Sequence, residues 1–293
     1  MVTGDASAVG VCAYSIQSPS RFFFQDIFSS IEVSLSSGHR ELLTVIKALR
    51  SIQVPTGSTL VWYTDSANLV TFWEKGSPKI LIQNDIVDLF LLCKELSLSL
   101  YILHLSREDP RIQAADLGSR EFDKNDWGID HVSFEVIATR FPSGFSLDPF
   151  ASPSNNRCDR WFSEFAFPGS LATDAFSVSW ENETLFLCPP VGRLISTWKK
   201  IISSHSIKGA LVFPIWKSTI FWPVLFPDGK HAIAPAYHVS QFSPFIILGK
   251  FYAGVMNGQN NYNFAVIYFD TTASRPEGSL CVDQPCSCSN LNQ

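Results

Sequence analysis

Apolar and polar residues change period several times along the chain, and those changes predict its elements. Residues 9–16 (VGVCAYSI) place Val9, Val11 and Ala13 on one face of a strand, and residues 31–35 (IEVSL) alternate as a half-buried strand does. Together with FFFQDIF at 22–28 and the short stretch leading into Asp5, they predict three strands with short connections, an antiparallel meander. The period then becomes helical. Leu42, Val45, Ile46 and Leu49 recur along a helix from about His39 to Ser51, behind Ser36 and Ser37, which suit an N-cap. Thr59–Thr64 (TLVWYT) is a continuous run expected for a strand covered on both faces, and it delivers Asp65 at its C-terminal end. A helix from Ser66 to Lys75 stops at Gly76, and a longer one at 81–96 carries Ile82, Ile86, Leu89, Cys93 and Leu96 along one stripe. LSLYILHL (98–105) is a last strand, and Arg111–Arg120 a closing helix that carries Asp116. The order predicts an α/β fold with a mixed five-stranded sheet flanked by helices.

The texture changes after Arg120. Residues 121–230 are rich in Phe, Trp, Pro and Ser, with apolar pieces such as ALVFPIW (210–216) and TIFWPVLF (219–226), and the one helix expected there is Val191–Ser204. Residues 231–293 hold strand-like pieces (PFIILGKFY, FAVIYF) and, after Asp270, a flexible tail. The expected organisation is therefore a domain at 1–120, an irregular Trp/Pro-rich region at 121–230 with some helix and strand, and an extension at 231–293. Met1 lies four residues before Asp5, whereas a typical strand runs ~5–6 residues, so the chain is expected to be a fragment with a missing N-terminal neighbour.

At 293 residues with 46% hydrophobic and 17% charged side chains, the chain is globular and not disordered. The net charge of −5, with 10 Lys and Arg against 12 Asp and Glu in residues 1–120, argues against a strong unaided grip on nucleic acid, which needs a basic face. Cys12 and Cys93 sit in apolar segments and read as buried thiols, which fits a reducing compartment. Cys281, Cys286 and Cys288 lie in the tail, without a nearby His or Cys partner to complete a metal site. No apolar run reaches the ~18–20 residues of a membrane span and no secretory leader opens the chain. An intracellular protein, cytoplasmic or nuclear and not secreted, is expected, so the sequon at Asn182 reads as accidental.

The candidate chemistry lies in four carboxylates: Asp5 in MVTGDAS, Glu41 in SSGHRELLTV, Asp65 in LVWYTDSAN and Asp116 in QAADLGSR. Each falls at a predicted strand end or on the inner side of a helix. Hard divalent cations prefer oxygen ligands, and four carboxylates suit two Mg²⁺ or Mn²⁺ ions ~3.5–4 Å apart that activate water for phosphodiester cleavage. Singly, each has a plainer reading. Asp65 with Ser66 can be a helix N-cap, Glu41 a first-turn residue facing the helix dipole, Asp116 a solvated helix residue and Asp5 a frayed terminus. Ser7, Ser66 and Asn68 lie beside the ligands and are candidates for backbone-phosphate contacts. Trp62, Trp73, Trp161, Trp180, Trp198, Trp216 and Trp222 could stack on bases, but their apolar neighbours make them core residues.

DAS before a small-residue strand, SSGHRELL, YTDSANLV and LHLSREDPRIQAADLGSR, in that order, resemble the ribonuclease H domain of Gypsy-like and DIRS-type retroelement reverse transcriptases. FDKNDWGI (122–129), DPFASPSNNRCDRWFS (148–163), TDAFSVSW (173–180) and FLCPPVGRLI (186–195) resemble the region that follows it in those polyproteins, which has no established chemistry. The resemblance implies that Asp5, Glu41, Asp65 and Asp116 hold the two metal ions, and that the RNA strand of an RNA–DNA hybrid is hydrolysed. It also implies a polymerase domain as neighbour, in cis or in trans. Cellular ribonucleases H carry a loop histidine at the position of Ser106, ten residues before Asp116. The Gypsy-like branch lacks it, and His104 is expected in the sheet or core. A catalytically silent remnant, serving as an interaction module for nucleic acid or protein, is the alternative. An integrase core fits less well, having three main acidic residues at other spacings.

Overall fold

The computed structural model describes residues 1–17, 22–52, 55, 57–256 and 262–272, so Cys281, Cys286 and Cys288 and most of the expected tail lie outside the described residues. Contacts divide the chain into two units, Met1–Phe122 with Ala166–Gly169, and Asp123–Phe165 with Ser170–Gln293. No helix among the described residues is long and apolar enough to cross a membrane.

In the first unit, β1 (Val2–Ala6), β2 (Gly10–Ser15) and β3 (Phe23–Ile27) form the expected antiparallel meander. Residues 31–35, expected as strand, instead contribute to α1 (Ser30–Val33). The cause is a capping box: the Ser29 hydroxyl accepts from Glu32 N, and the Glu32 carboxylate accepts from Ser29 N at 2.7 Å. Two backbone donors are satisfied by that exchange, which five alternating residues do not outweigh. Helix α2 (Ser37–Ser51) buries Leu42, Val45, Ile46 and Leu49, as its period requires. Strand β4 (Thr59–Thr64) forms as expected but alternates: Leu60, Trp62 and Thr64 are buried, whereas Val61 and Tyr63 are half-exposed. Its second face is therefore only partly covered.

Helix α3 (Ala67–Lys75) ends at Gly76, whose φ of 75° is a conformation glycine adopts without a Cβ clash. Helix α4 (Ile80–Glu95), β5 (Ser99–His104) and α5 (Pro110–Gly118) complete the unit. Pro110 begins α5 where no N–H is needed, and Asp109 caps it. The sheet order is β3-β2-β1-β4-β5, with β1 parallel to β4 and β4 parallel to β5. The unit is thus α/β with a five-stranded mixed sheet.

Two close approaches pin its layers. The Trp62 side chain lies over Gly4, where an added Cβ would sit 2.3 Å from the indole ring. Helix α5 lies against β1 and β2, and a Cβ on Gly118 would come within 2.5 Å of Cys12 Sγ.

The second unit contains β6 (Trp127–Ile129), α6 (His131–Ala138), β7 (Thr184–Leu187), a 3-10 turn at Val191–Arg193, α7 (Leu194–Ser203) and β8 (Lys208–Pro214). They are followed by α8 (Trp222–Leu225), β9 (Ala236–Phe242), β10 (Ile246–Leu248) and β11 (Phe264–Asp270). Strands β7-β8-β11-β9 make one sheet and β10-β6 a two-stranded ribbon. The expected break at residue 230 does not occur, because β8 pairs with β11 along its whole length. Both strands are buried on two faces. Leu211, Phe213, Ala265, Ile267 and Phe269 enter one core, and Ala210, Val212, Phe264, Val266 and Tyr268 enter another. A strand buried on both sides reads as an unbroken apolar run with no sign of its partner. Helix α6 was not expected from its sequence; Asp130 caps it by accepting from Ser133 N. Trp62, Trp161, Trp180, Trp198 and Trp222 are core residues, as expected, and Trp73 and Trp216 are partly buried.

Overpacking of a tight contact costs about 1–3 kcal/mol. Gly118→Ala should therefore destabilise the protein by about that amount in urea unfolding, with the slope unchanged.

Candidate metal centre

The parallel register of β1 and β4 builds the site. Val2 lies beside Trp62 and Thr3 beside Tyr63, so two residues further on Asp5 comes level with Asp65, the residue that follows β4. The fifth residue of α2 is Glu41, and α2 packs against β1 and β2. One carboxylate oxygen each from Asp5, Glu41 and Asp65 lies within 4.8 Å of the others. Asp5 is 3% exposed and Glu41 5%.

The plainer readings of these three residues do not hold in this geometry. Asp5 is buried within β1 and paired with Cys12 of β2, so it is not a frayed terminus. Glu41 stands in the second turn of α2, since the helix begins two residues earlier than its apolar period indicates, and so it is not a first-turn dipole residue. The N-cap of α3 is Ser66, whose hydroxyl accepts from Leu69 N at 3.3 Å, leaving the Asp65 carboxylate for the cluster.

Burial and mutual repulsion dominate the electrostatics. Desolvation, with Asp116 and Asp65 as neighbouring negative charges, pushes Asp5 up from 3.8 to about 6 against the opposing hydrogen bond from Ser119. Glu41 is pushed well above its ordinary value by burial and by the charges of Asp5 and Asp65. Two donors fix the orientation of these groups: Ala6 N donates to Glu41 Oε1 at 3.2 Å, and the Ser119 hydroxyl lies 3.0 Å from Asp5 Oδ2. Arg107 Nε reaches Asp65 Oδ2 at 3.2 Å from a side chain that is 76% exposed, so its compensation is screened by water. A buried set of oxygen donors with too little positive charge around it fits a hard divalent cation, and these three residues could hold one.

Asp116 stands apart from the triad. Its half-buried carboxylate pairs with Arg120 one helical turn on, although its charge is felt at Asp5. The Ser119 hydroxyl, 2.8 Å from the Asp116 carbonyl and 3.0 Å from Asp5, ties α5 to the site. The sequence reading missed Ser119 and Arg107 in this setting. The i,i+4 spacing of Asp116 and Arg120 was a legible signal for that pair.

The three phosphate-contact candidates divide. Ser7 is buried, and its hydroxyl donates toward the carbonyls of Ser119 at 2.7 Å and Gly10 at 3.1 Å while accepting from Gly10 N at 2.9 Å. It holds the β1–β2 turn against α5 and is not placed to meet a phosphate. Ser66 is engaged as a helix cap, and Asn68 is exposed on the first turn of α3. His104, expected in the sheet or core, is exposed at the end of β5, and Ser106 is exposed beyond it.

Compared with known proteins, the chain matches no family model and no curated sequence at a significant level.

The raised carboxyl pKa values give a signed pH dependence. Asp5 holds its proton to about pH 6 when folded and to 3.8 when unfolded. Its stabilising contribution is therefore complete below about pH 4 and is lost as the pH rises through about 6. Metal-free wild type should lose more stability than Asp5→Asn across that interval. Mg²⁺ should restore several degrees of melting temperature to wild type at about pH 7.5 and little to the variant. Thermal unfolding of both proteins with and without Mg²⁺ measures it.

Proposed function

We propose that the first unit is a metal-dependent endonuclease of the ribonuclease H type that hydrolyses the RNA strand of an RNA–DNA hybrid with two Mg²⁺ or Mn²⁺ ions. The observation that carries this reading is the buried triad of Asp5, Glu41 and Asp65, gathered within 4.8 Å where parallel strands end. Support comes from the sheet order β3-β2-β1-β4-β5, which is compatible with a ribonuclease H-like fold, and from the motif resemblance around the same carboxylates.

Bound divalent ions would supply a Lewis-acid centre that activates water and stabilises the leaving oxygen of the phosphodiester. The chain's own residues prepare that centre. Ala6 N and the Ser119 hydroxyl aim Glu41 and Asp5, and burial keeps water from competing for their oxygens. Asp116 would complete a four-carboxylate set once its side chain left Arg120. Arg107 is exposed beside Asp65, where it can meet a substrate phosphate. Selection of RNA rests on its 2′-hydroxyl and A-form shape. With a net charge of −2 over residues 1–120, the unit holds a hybrid weakly by itself. A polymerase domain, in cis or in trans, would supply the basic surface.

One observation favours a second reading, a retroelement remnant without catalysis: Asp116 is paired with Arg120 and not gathered with the other three carboxylates. Cleavage of an end-labelled RNA strand in a hybrid with Mg²⁺ or Mn²⁺ separates the two. The nuclease reading expects cleavage by wild type and by Arg120→Ala, and none by Asp65→Asn. The remnant reading expects none from all three, each folded.

A further inference from the structure

The second unit contains a cavity of about 570 Å³, a volume within the ~300–1,000 Å³ range of small-molecule sites. It opens where β7 ends, at Cys188 and Pro190, before the chain turns into α7. None of the metal-site residues of the first unit lines it.

Its walls combine two chemistries. Aromatic rings come from Trp127, Phe150 and Phe176. Trp127 is 2% exposed and its indole N–H donates to the Pro189 carbonyl at 3.0 Å, so the ring cannot swing away. Phe150 and Phe176 stand 5.6 Å apart at 58°, giving two differently inclined faces. Carboxylates come from Asp123, Asp126, Glu164 and Asp174, against one guanidinium, that of Arg193, among the described lining residues. Asn155 donates to Asp126 Oδ1 and fixes that carboxylate in place.

This balance selects by charge. A phosphate brought against this wall of carboxylates meets repulsion, whereas a cation meets both the carboxylates and the negative faces of the rings. Arg193 demonstrates the second contact, with its guanidinium 6.0 Å from the Phe176 centroid. We propose that this cavity binds a small organic cation bearing a flat ring, with the ring among Trp127, Phe150 and Phe176 and the charge toward Asp126 and Glu164. Burial and the neighbouring Asp123 push Asp126 up to about 6, and Glu164, at the solvent-exposed rim, is raised by the desolvation it meets at the wall and by Asp123. A bound positive charge relieves both.

The test is calorimetric titration of the full chain with benzyltrimethylammonium, a ring carrying a permanent cation, and in parallel with phenyl phosphate, a ring carrying an anion. Saturable one-to-one binding of the cation is expected, weakened about tenfold in Glu164→Gln and in Phe176→Ala, with no binding of phenyl phosphate. Glu164 is exposed, so its isosteric variant keeps the fold. The proposal is overturned if cooperatively folding protein shows no saturable binding of the cation up to about 10 mM. Equal binding of both probes, or binding that neither substitution alters, overturns it as well. None of these outcomes depends on nuclease activity.

Discussion

The register of β1 against β4 is the constraint on which the first unit depends. Parallel pairing of Val2 with Trp62 and Thr3 with Tyr63 carries Asp5 to the side of Asp65, and α2 brings Glu41 over the same point. A shift of one residue would turn Asp5 to the opposite side of the sheet. The register is held by packing unrelated to charge: Trp62 occupies the space over Gly4, and Gly118 lets α5 rest on Cys12. Hydrophobic contacts thus force together carboxylates that repel one another. The free energy stored in that arrangement, visible in the raised Asp5 and Glu41, is what a divalent cation would release.

The second unit uses a different device. Strands β8 and β11 are buried on both faces and feed alternate residues into two cores, so the sheet serves as a partition. Loops and strand ends at its margin bring the acidic and aromatic residues of the cavity together from segments far apart in sequence. Trp127 belongs both to a buried core and to the cavity wall, so packing holds that part of the wall in place.

Legibility followed the length scale of the interaction. The helical periods of α2 and α4, the glycine stop of α3 and the apolar run of β4 were all readable, because neighbours a few residues apart decide them. Residues 31–35 were misread, since alternation over five positions weighs less than the Ser29–Glu32 capping box, itself a local signal that went unused. The pairing of β8 with β11, across the expected boundary at 230, is decided by contacts between segments far apart in sequence and leaves no local trace. At the site, motif order singled out the carboxylates, and three of the four gather. What stayed hidden was how hydroxyls are spent, Ser7 on a turn and Ser119 on Asp5, since a serine's surroundings are set by tertiary packing.

The central claim is that Asp5, Glu41 and Asp65 form a divalent-cation site, and Mn²⁺ binding followed by electron paramagnetic resonance tests it most directly. Wild-type protein at neutral pH should take up Mn²⁺ saturably, with loss of the free-ion signal, and Glu41→Gln should abolish that uptake while remaining folded. Equal uptake by both proteins, or none by wild type, would contradict it.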